Sequence, residues 1–348
     1  MTRSAFLLLA ALVVLLVPLE ADEDDKAVAK AIEKDRRALS RTLRRRGSDY
    51  DERVEAIARV RVSKEHDRVE LCAIAIRNDA RPVRLIAAQT LGEIRELRVI
   101  PILVTALSKE KKVTVINAIV ASLEKLTHRP LGKDPKRWKD WWRSERDTFR
   151  MPPPIEKPKP RPKRKNTGET RTVSTPRFYG IDVEATDIVF VIDKSLSMLH
   201  ESARGSGTRW GAAVREVLAV VDKLPDHARV NVVLFSTDVW SWREGLTDLS
   251  ARTRQQLKED LRARSPRGGT DLFAGIARGL EEGEVEAIYV LSDGEPSSGK
   301  LQTDSAILSE VRKRNFYRRA TIHVVAVGYK SSLLQKLASG NGGRYVTR

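Results

Sequence analysis

The most informative segment of this chain is Ile188-Val189-Phe190-Val191-Ile192-Asp193-Lys194-Ser195-Leu196-Ser197. Five consecutive apolar residues lead directly into a segment that carries one carboxylate and two hydroxyls. A continuous apolar run, unlike an alternating one, is typical of a strand that is buried on both faces of a parallel sheet. The stretch therefore predicts a central strand whose carboxyl end presents hard oxygen atoms.

Two further segments of the chain carry a hard oxygen atom at the end of a strand-like run or at the start of a helix-like one. Thr270 follows Gly268-Gly269 and begins a helical pattern, and Asp293 follows a second apolar run over residues 288–291. Ligands of open α/β sheets bind beyond the carboxyl ends of the strands, so we expect the three segments to meet at one edge. Carboxylate and hydroxyl oxygens suit small hard cations. The pattern predicts a magnesium or manganese site formed by Asp193, Ser195, Ser197, Thr270 and Asp293.

The predicted site is embedded in an alternation of short apolar runs and amphipathic helical segments. Strands are predicted at 188–192, 230–235, 286–291, 322–327 and 344–346, and helices at 209–224, 254–264, 272–280, 304–314 and 333–338. Residues 239–243 fit an antiparallel edge strand. Strands that alternate with helices predict a doubly wound α/β domain with a parallel sheet over residues 178–348.

These segments resemble the von Willebrand factor A family, whose metal-ion-dependent adhesion site (MIDAS) follows the pattern Asp-x-Ser-x-Ser, a distant Thr and a distant Asp. The resemblance covers residues 178–348 and implies a Rossmann-like fold. It implies that Ser195 and Ser197 bind the cation directly, that Asp193 and Asp293 bind directly or through water, and that Thr270 joins when a ligand is engaged.

The charges of two carboxylates just neutralise one divalent cation, because the hydroxyl ligands are neutral. The cation would therefore keep an open position for an acidic side chain of a protein partner. Two departures from the family pattern are Lys194, inside the motif, and Leu196, where many relatives carry glycine. The alternative interpretation is a structural domain that kept the pattern without a metal.

The amino terminus has the layout of a signal peptide. Arg3 precedes an apolar stretch from Ala5 to Leu19, and acidic residues begin at Asp22. This layout predicts a signal peptide over residues 1–21 and an exported protein, periplasmic or extracellular. The apolar run is short for a membrane span, and an uncleaved membrane anchor is the alternative.

Residues 24–148 carry a weak repeat of about thirty residues within a helical pattern. The repeated segments are 53–58, 82–87 and 112–117. They resemble the short HEAT-like repeats of bacterial proteins, which predicts an all-α solenoid; an irregular helical bundle is the alternative. Three tryptophans near its end, Trp138, Trp141 and Trp142, either seal the last open face of the solenoid or bind a polyanion.

Residues 149–177 alternate proline with lysine and arginine, which predicts an extended, semi-rigid linker. The whole chain has a net charge of +17, which favours acidic surfaces as partners or serves only solubility. An alternative function is therefore polyanion or cell-envelope binding through the linker and helical domain, with no essential metal. Nucleic acid is not the expected partner.

The sequence does not favour an enzyme. The five histidines are scattered, no phosphate-binding loop of the Gly-x-x-x-x-Gly-Lys kind is present, and Ser195 and Ser197 have no evident catalytic His and Asp partners. The prediction is a multidomain, exported adhesion or scaffold protein without catalytic residues.

Overall fold

The computed structural model describes residues 23–47, 49–62, 67–154, 175–202 and 207–348. The predicted signal peptide and residues 155–174 of the predicted linker lie outside these ranges. Within them, no helix is both long enough and apolar enough to cross a bilayer.

The amino-terminal part of the described chain consists of helices that stack side by side. They are α1 (Glu23–Arg44), α2 (Asp51–Val62), α3 (Arg68–Ala75), α4 (Arg81–Leu91), α5 (Val99–Leu107), α6 (Val113–Thr127) and α7 (Pro135–Glu145). The three repeated sequence segments lie on α2, α4 and α6, and α4 packs between the other two. Val54, Ile86 and Leu123 on these helices are buried in one continuous core. A helical region is therefore present, and its assignment to HEAT-like repeats stays a prediction.

The tryptophans at the end of this region pack inward. Trp138 is fully buried, and its indole nitrogen donates a hydrogen bond to the carbonyl of Gly132 at 2.8 Å. Trp141 meets Phe149 edge to face, with ring centroids 5.2 Å apart. Buried aromatic rings with this geometry stabilise a core, so this cluster seals the end of the helical stack.

The carboxy-terminal part is an α/β structure. Its strands are β1 (Arg177–Phe178), β2 (Ile181–Asp182), β3 (Asp187–Asp193), β4 (Arg229–Phe235), β5 (Val239–Ser241), β6 (Thr247–Asp248), β7 (Ala287–Ser292), β8 (Thr321–Ala326) and β9 (Tyr345–Thr347). Its helices are α8 (Arg209–Val221), α9 (Ala251–Arg262), α10 (Leu272–Leu280), α11 (Asp304–Arg318) and α12 (Ser332–Gly340). A short hairpin of β1 and β2 stands apart from the main sheet.

The main sheet is mixed rather than purely parallel. Strands β4, β3, β7, β8 and β9 lie side by side in this order and are parallel, whereas β5 and β6 pair with β4 in antiparallel fashion. The edge strand predicted at residues 239–243 corresponds to β5. Strand β6 was not predicted, because a two-residue strand leaves no periodic signal.

Helices cover both faces of the main sheet, which explains the unbroken apolar runs. Successive side chains of a strand point to opposite faces. Phe190 accordingly packs in a core with residues of α8 and α9, while Val189 and Val191 pack in a second core with residues of α10, α11 and α12. Each position of β3 from Ile188 to Ile192 therefore needs an apolar side chain.

The helical region contacts the sheet at the amino ends of its strands. Lys112 Nζ lies 2.5 Å from Oδ2 of Asp187, the first residue of β3. Thr114 donates a hydrogen bond of 3.0 Å to Glu286, the residue before β7. These contacts leave the carboxyl ends of the strands on the side of the sheet away from the interface.

Arg81 carries a buried charge across this interface. It is fully buried, and its guanidinium donates to the carbonyls of Val285 (2.9 Å), Arg319 (3.3 Å) and Arg318. The last two carbonyls lie at the carboxyl end of α11, where the helix dipole favours a cation. Burial lowers the pKa of Arg81. One side chain of α4 thus satisfies three backbone acceptors of the α/β domain.

We expect Arg81→Ala to lower the free energy of unfolding by about 3 kcal/mol or more, because it leaves buried carbonyls without donors. Urea unfolding of the full chain measures this. The exposed Arg77 on the same helical region is the matched control, and Arg77→Ala is expected to stay within about 0.5 kcal/mol of the parent. Equal stability of the two variants would contradict the role assigned to Arg81.

Candidate metal centre

The candidate site lies where two neighbouring parallel strands end. Asp193 is the last residue of β3, and Asp293 directly follows β7, its neighbour in the sheet. The chain passes from β3 to β4 on one side and later to β7 on the other. The two acids thus flank the point at which the strand order reverses, where open α/β sheets bind ligands.

Asp193 is fully buried and held by two hydrogen bonds. Its Oδ1 accepts from the backbone nitrogen of Ser195 at 2.8 Å, and its Oδ2 accepts from the hydroxyl of Ser292 at 2.7 Å. Burial, together with the nearby charge of Asp293, raises the pKa of Asp193 to about 6. A bound cation would stabilise the charged form of such a carboxylate.

The two serines connect the two acids. Ser195 Oγ lies 3.0 Å from Ser197 Oγ, and Ser197 Oγ donates to Asp293 Oδ1 at 2.6 Å. Ser195 is buried and directly precedes the 3₁₀ helix Leu196–Leu199, whose first turn carries Ser197. The short helix therefore brings the two hydroxyls together and places that of Ser197 on the Asp293 carboxylate.

Thr270 reaches the site from the loop before α10. A Cβ built on Gly294 would lie 3.7 Å from Thr270 Oγ1 and 3.9 Å from Ser197 Oγ, so both hydroxyls face this glycine. The loop is joined to the first motif by backbone hydrogen bonds, from Leu196 to Gly268 at 3.0 Å and from Arg267 to Lys194 at 2.8 Å. The structure thus places all five predicted site residues at one edge of the sheet.

Arg209 is a member of the site that the sequence did not indicate. Its Nη1 donates to Asp293 Oδ2 at 2.7 Å, so Asp293 is bonded by a hydroxyl on one oxygen and a guanidinium on the other. Arg209 is the first residue of α8. Its local sequence does not distinguish it from any other basic residue in the first turn of a helix. Ser292, which supports Asp193, was also not assigned, because a serine at a strand end has many structural roles.

Lys194 points out of the cluster that the five residues form. It is buried, and its Nζ lies 3.4 Å from Ser236 Oγ, on the segment that follows β4. Burial is the main cause that lowers the pKa of Lys194. The cation that contacts a predicted ligand is therefore Arg209 rather than Lys194.

The donor set of this cluster fits a small divalent cation. It offers two carboxylates and three hydroxyls, all hard oxygen ligands. Among the described residues, no cluster of three or more His, Cys, Asp or Glu side chains is arranged to hold a metal ion. A cation would thus depend on the hydroxyls, and at Asp293 it would compete with Arg209.

Comparison with known proteins agrees with this architecture. Residues 186–347 match the family model described as von Willebrand factor type A domain. Human inter-alpha-trypsin inhibitor heavy chain H4 is 28% identical over 178 residues, which cover 47% of this chain and 18% of that protein. Human von Willebrand factor A domain-containing protein 3A is 28% identical over 122 residues, 33% of this chain and 10% of that protein.

The chain therefore spans less than a fifth of the length of these two relatives. Among solved structures, a von Willebrand factor type A protein from Catenulispora acidiphila is 19% identical and covers 48% of this chain and 39% of that chain, with a TM-score of 0.41. The family match covers residues 186–347, just under half of this chain, and assigns a von Willebrand factor type A domain to that segment.

The position of α10 behind Thr270 depends on Gly275. A Cβ at this glycine would lie 2.7 Å from the ring of Phe235, the fully buried last residue of β4. We expect Gly275→Ala to lower the free energy of unfolding by about 1–3 kcal/mol through overpacking. Chemical denaturation measures the change, with Gly283→Ala as control, because nothing lies within 4 Å of a Cβ there. A Gly275 variant as stable as the control would show that α10 adjusts freely.

Proposed function

We propose that this chain, whose carboxy-terminal part is a von Willebrand factor type A domain, is a divalent-cation-dependent protein-binding protein. The cation is magnesium or manganese, held by Asp193, Ser195, Ser197, Thr270 and Asp293. When bound, it supplies a Lewis-acidic position that accepts a carboxylate of the partner. The observation that carries this proposal is the chain of contacts Ser195–Ser197–Asp293 beside the buried Asp193.

A protein partner is favoured by apolar surface next to the cluster. Leu196 is 60% exposed and Leu199 is 49% exposed, and both lie on the 3₁₀ helix that carries Ser197. Exposed large apolar side chains around polar groups are typical of protein interaction sites. The partner would place an acidic side chain on the cation and apolar atoms on these leucines.

The amino-terminal helices have a supporting role in this proposal. We propose that they form HEAT-like repeats, since α2, α4 and α6 carry the repeated segments and stack on each other. They contact the sheet at the end away from the site, so they can present the domain without covering it. We also propose that the protein is exported and has no catalytic activity, on the basis of residues 1–21 and of the donor set.

Calorimetric titration of the full chain with magnesium chloride tests the cation site. We expect Asp193→Ala to weaken magnesium binding at least tenfold, because it removes one of two carboxylates. Ser197→Ala, which changes a half-buried hydroxyl, gives a second variant in case Asp193→Ala does not fold. The exposed Asp222 provides the control, and Asp222→Ala is expected to bind like the parent. Equal heats from Ser197→Ala, Asp193→Ala and the parent would contradict the proposed metal site.

A crosslinked pull-down from the producing organism tests the binding role. We expect a protein to be captured in magnesium, lost in chelator and recovered when magnesium is restored, and we expect Ser197→Ala to capture none. Capture that chelator leaves intact but added salt abolishes would instead support polyanion or envelope binding through basic residues, since such binding falls steeply with salt.

A further inference from the structure

A cleft lined by two arginines lies where the helical region meets the α/β domain. It encloses about 330 Å³ between α4, the carboxyl end of α11 and the loop that follows α12. Arg312 and Arg319 line it together with Gln89 of α4, and none of the described residues in its lining is acidic. Thr321, the first residue of β8, also lines it, so the cleft lies at the opposite end of the sheet from the candidate metal centre.

Arg319 has no acidic partner among the described residues. Its side chain is half-buried, and its Nε is buried without a hydrogen-bond acceptor from the described part of the chain. The guanidinium lies over the ring of Phe316, 4.8 Å from the centroid, and stacking of this kind leaves its terminal N–H groups able to donate. Burial lowers the pKa of Arg319, and the charge of Arg61 lowers it further. An anion in the cleft would offset both effects.

Two acids on the adjoining elements are already paired with other cations. Arg61 Nη2 lies 2.6 Å from Oε1 of Glu93, just after α4, and Arg314 Nε lies 3.4 Å from Oε1 of Glu310 on α11. Arg312 is exposed, and it forms no ion pair with any residue that the structure describes. The cleft therefore presents two cations that an external anion can reach.

The backbone around Arg319 is held from both parts of the chain. Arg319 caps α11 in a left-handed conformation with a φ of 51°. Its backbone nitrogen donates to the carbonyl of Asn315 at 2.8 Å, and its carbonyl accepts from Arg81 of α4 at 3.3 Å. The Asn315 side chain donates to the carbonyl of Ala320 at 2.8 Å and to Asn341 Oδ1 at 2.7 Å. A cation on a fixed backbone loses less conformational entropy when it binds an anion.

The donors of the cleft suit an anion with several oxygen atoms. Arg312 and Arg319 lie about two helical turns apart on one face of α11 and its cap. Thr321 and Gln89 add a hydroxyl and an amide from other sides of the lining. Guanidinium groups bind phosphate oxygens through charge-assisted hydrogen bonds, and a tetrahedral anion can reach donors on more than one element.

The helix end does not work against such a ligand. Carbonyl groups at the carboxyl end of a helix repel anions, because the helix dipole is negative there. The carbonyls of Arg318 and Arg319 already accept hydrogen bonds from the buried guanidinium of Arg81. The positive charge of Arg81 therefore compensates the helix end beside the cleft.

We propose that this cleft binds a phosphate group, either as free phosphate or as a small phosphate monoester. The bound group would connect α4 with the end of α11 and would strengthen the contact between the helical region and the α/β domain. The site goes beyond the proposed cation-dependent function and does not depend on it.

Calorimetric titration of the full chain with inorganic phosphate, without magnesium and at constant ionic strength, tests this proposal. We expect saturable binding to the parent, and we expect Arg319→Gln to weaken it about fivefold or more, because a charge-assisted contact is lost. Arg312→Gln changes an exposed side chain and is expected to weaken binding in the same direction, so it decides the test if Arg319→Gln does not fold.

The control removes an equal charge from another helix. Arg262 on α9 is exposed and lies outside the cleft lining, and we expect Arg262→Gln to bind phosphate like the parent. Equal affinities of the Arg262 and cleft variants, or no saturable binding to the parent, would overturn the proposal. Acetate that binds as tightly as phosphate would overturn the choice of a phosphate group.

Glycerol 3-phosphate distinguishes the two sources of the phosphate group. Tighter binding than that of inorganic phosphate would assign the cleft to a phosphate monoester, and weaker binding would assign it to free phosphate. Each result applies only where Arg312→Gln reduces the affinity; an affinity that this variant leaves unchanged contradicts the site.

Thermal unfolding of the full chain gives a second measurement. A ligand that binds the folded state raises Tm, whereas phosphate excluded from the protein surface stabilises every variant alike. We expect phosphate to raise the Tm of the parent and of Arg262→Gln more than that of Arg312→Gln. An equal rise in all three proteins would show a general salt effect and would contradict the site.

Discussion

The parallel pairing of β3 with β7 is the constraint on which the rest of the site depends. It places Asp193 and Asp293 at adjacent strand ends, where burial and, to a smaller extent, the charge of Asp293 raise the pKa of Asp193 to about 6. The surrounding residues offset this cost with hydrogen bonds from Ser195, Ser197 and Ser292 and with the guanidinium of Arg209. A cation that bound there, as proposed, would compete with Arg209 for Asp293.

The two ends of the sheet have opposite roles. At the amino ends of the strands, Arg81 and Lys112 from the helical region satisfy carbonyls and a carboxylate, and they fix the α/β domain on its helical support. At the carboxyl ends, polar side chains meet on the side of the sheet that faces away from the helical region. This polarity follows from parallel strands, because all of them end on the same side. The candidate site and the attachment to the helical region therefore lie at opposite ends of the strands.

The five candidate ligands were predictable because of their residue types and because they follow apolar runs or, for Thr270, precede a helix, and both signals point to one sheet edge. The two further participants, Arg209 and Ser292, were not, since their roles come from partners far away in sequence. The alternating strands and helices were likewise readable, whereas β6 and the cleft beside Arg319 were not. Short strands and concave surfaces arise from the meeting of distant segments and leave no local pattern.

The amino-acid sequence alone was enough to predict the order of the main strands and helices, the burial of β3 on both faces, and five hard-oxygen side chains that follow strand ends or precede a helix. These features are local, because hydrophobic periodicity and residue chemistry act over a few positions. The pairing of Arg209 with Asp293 and the insertion of Arg81 between the two parts of the chain became visible only in the folded structure. Each of these depends on distances between segments that chain connectivity alone does not specify.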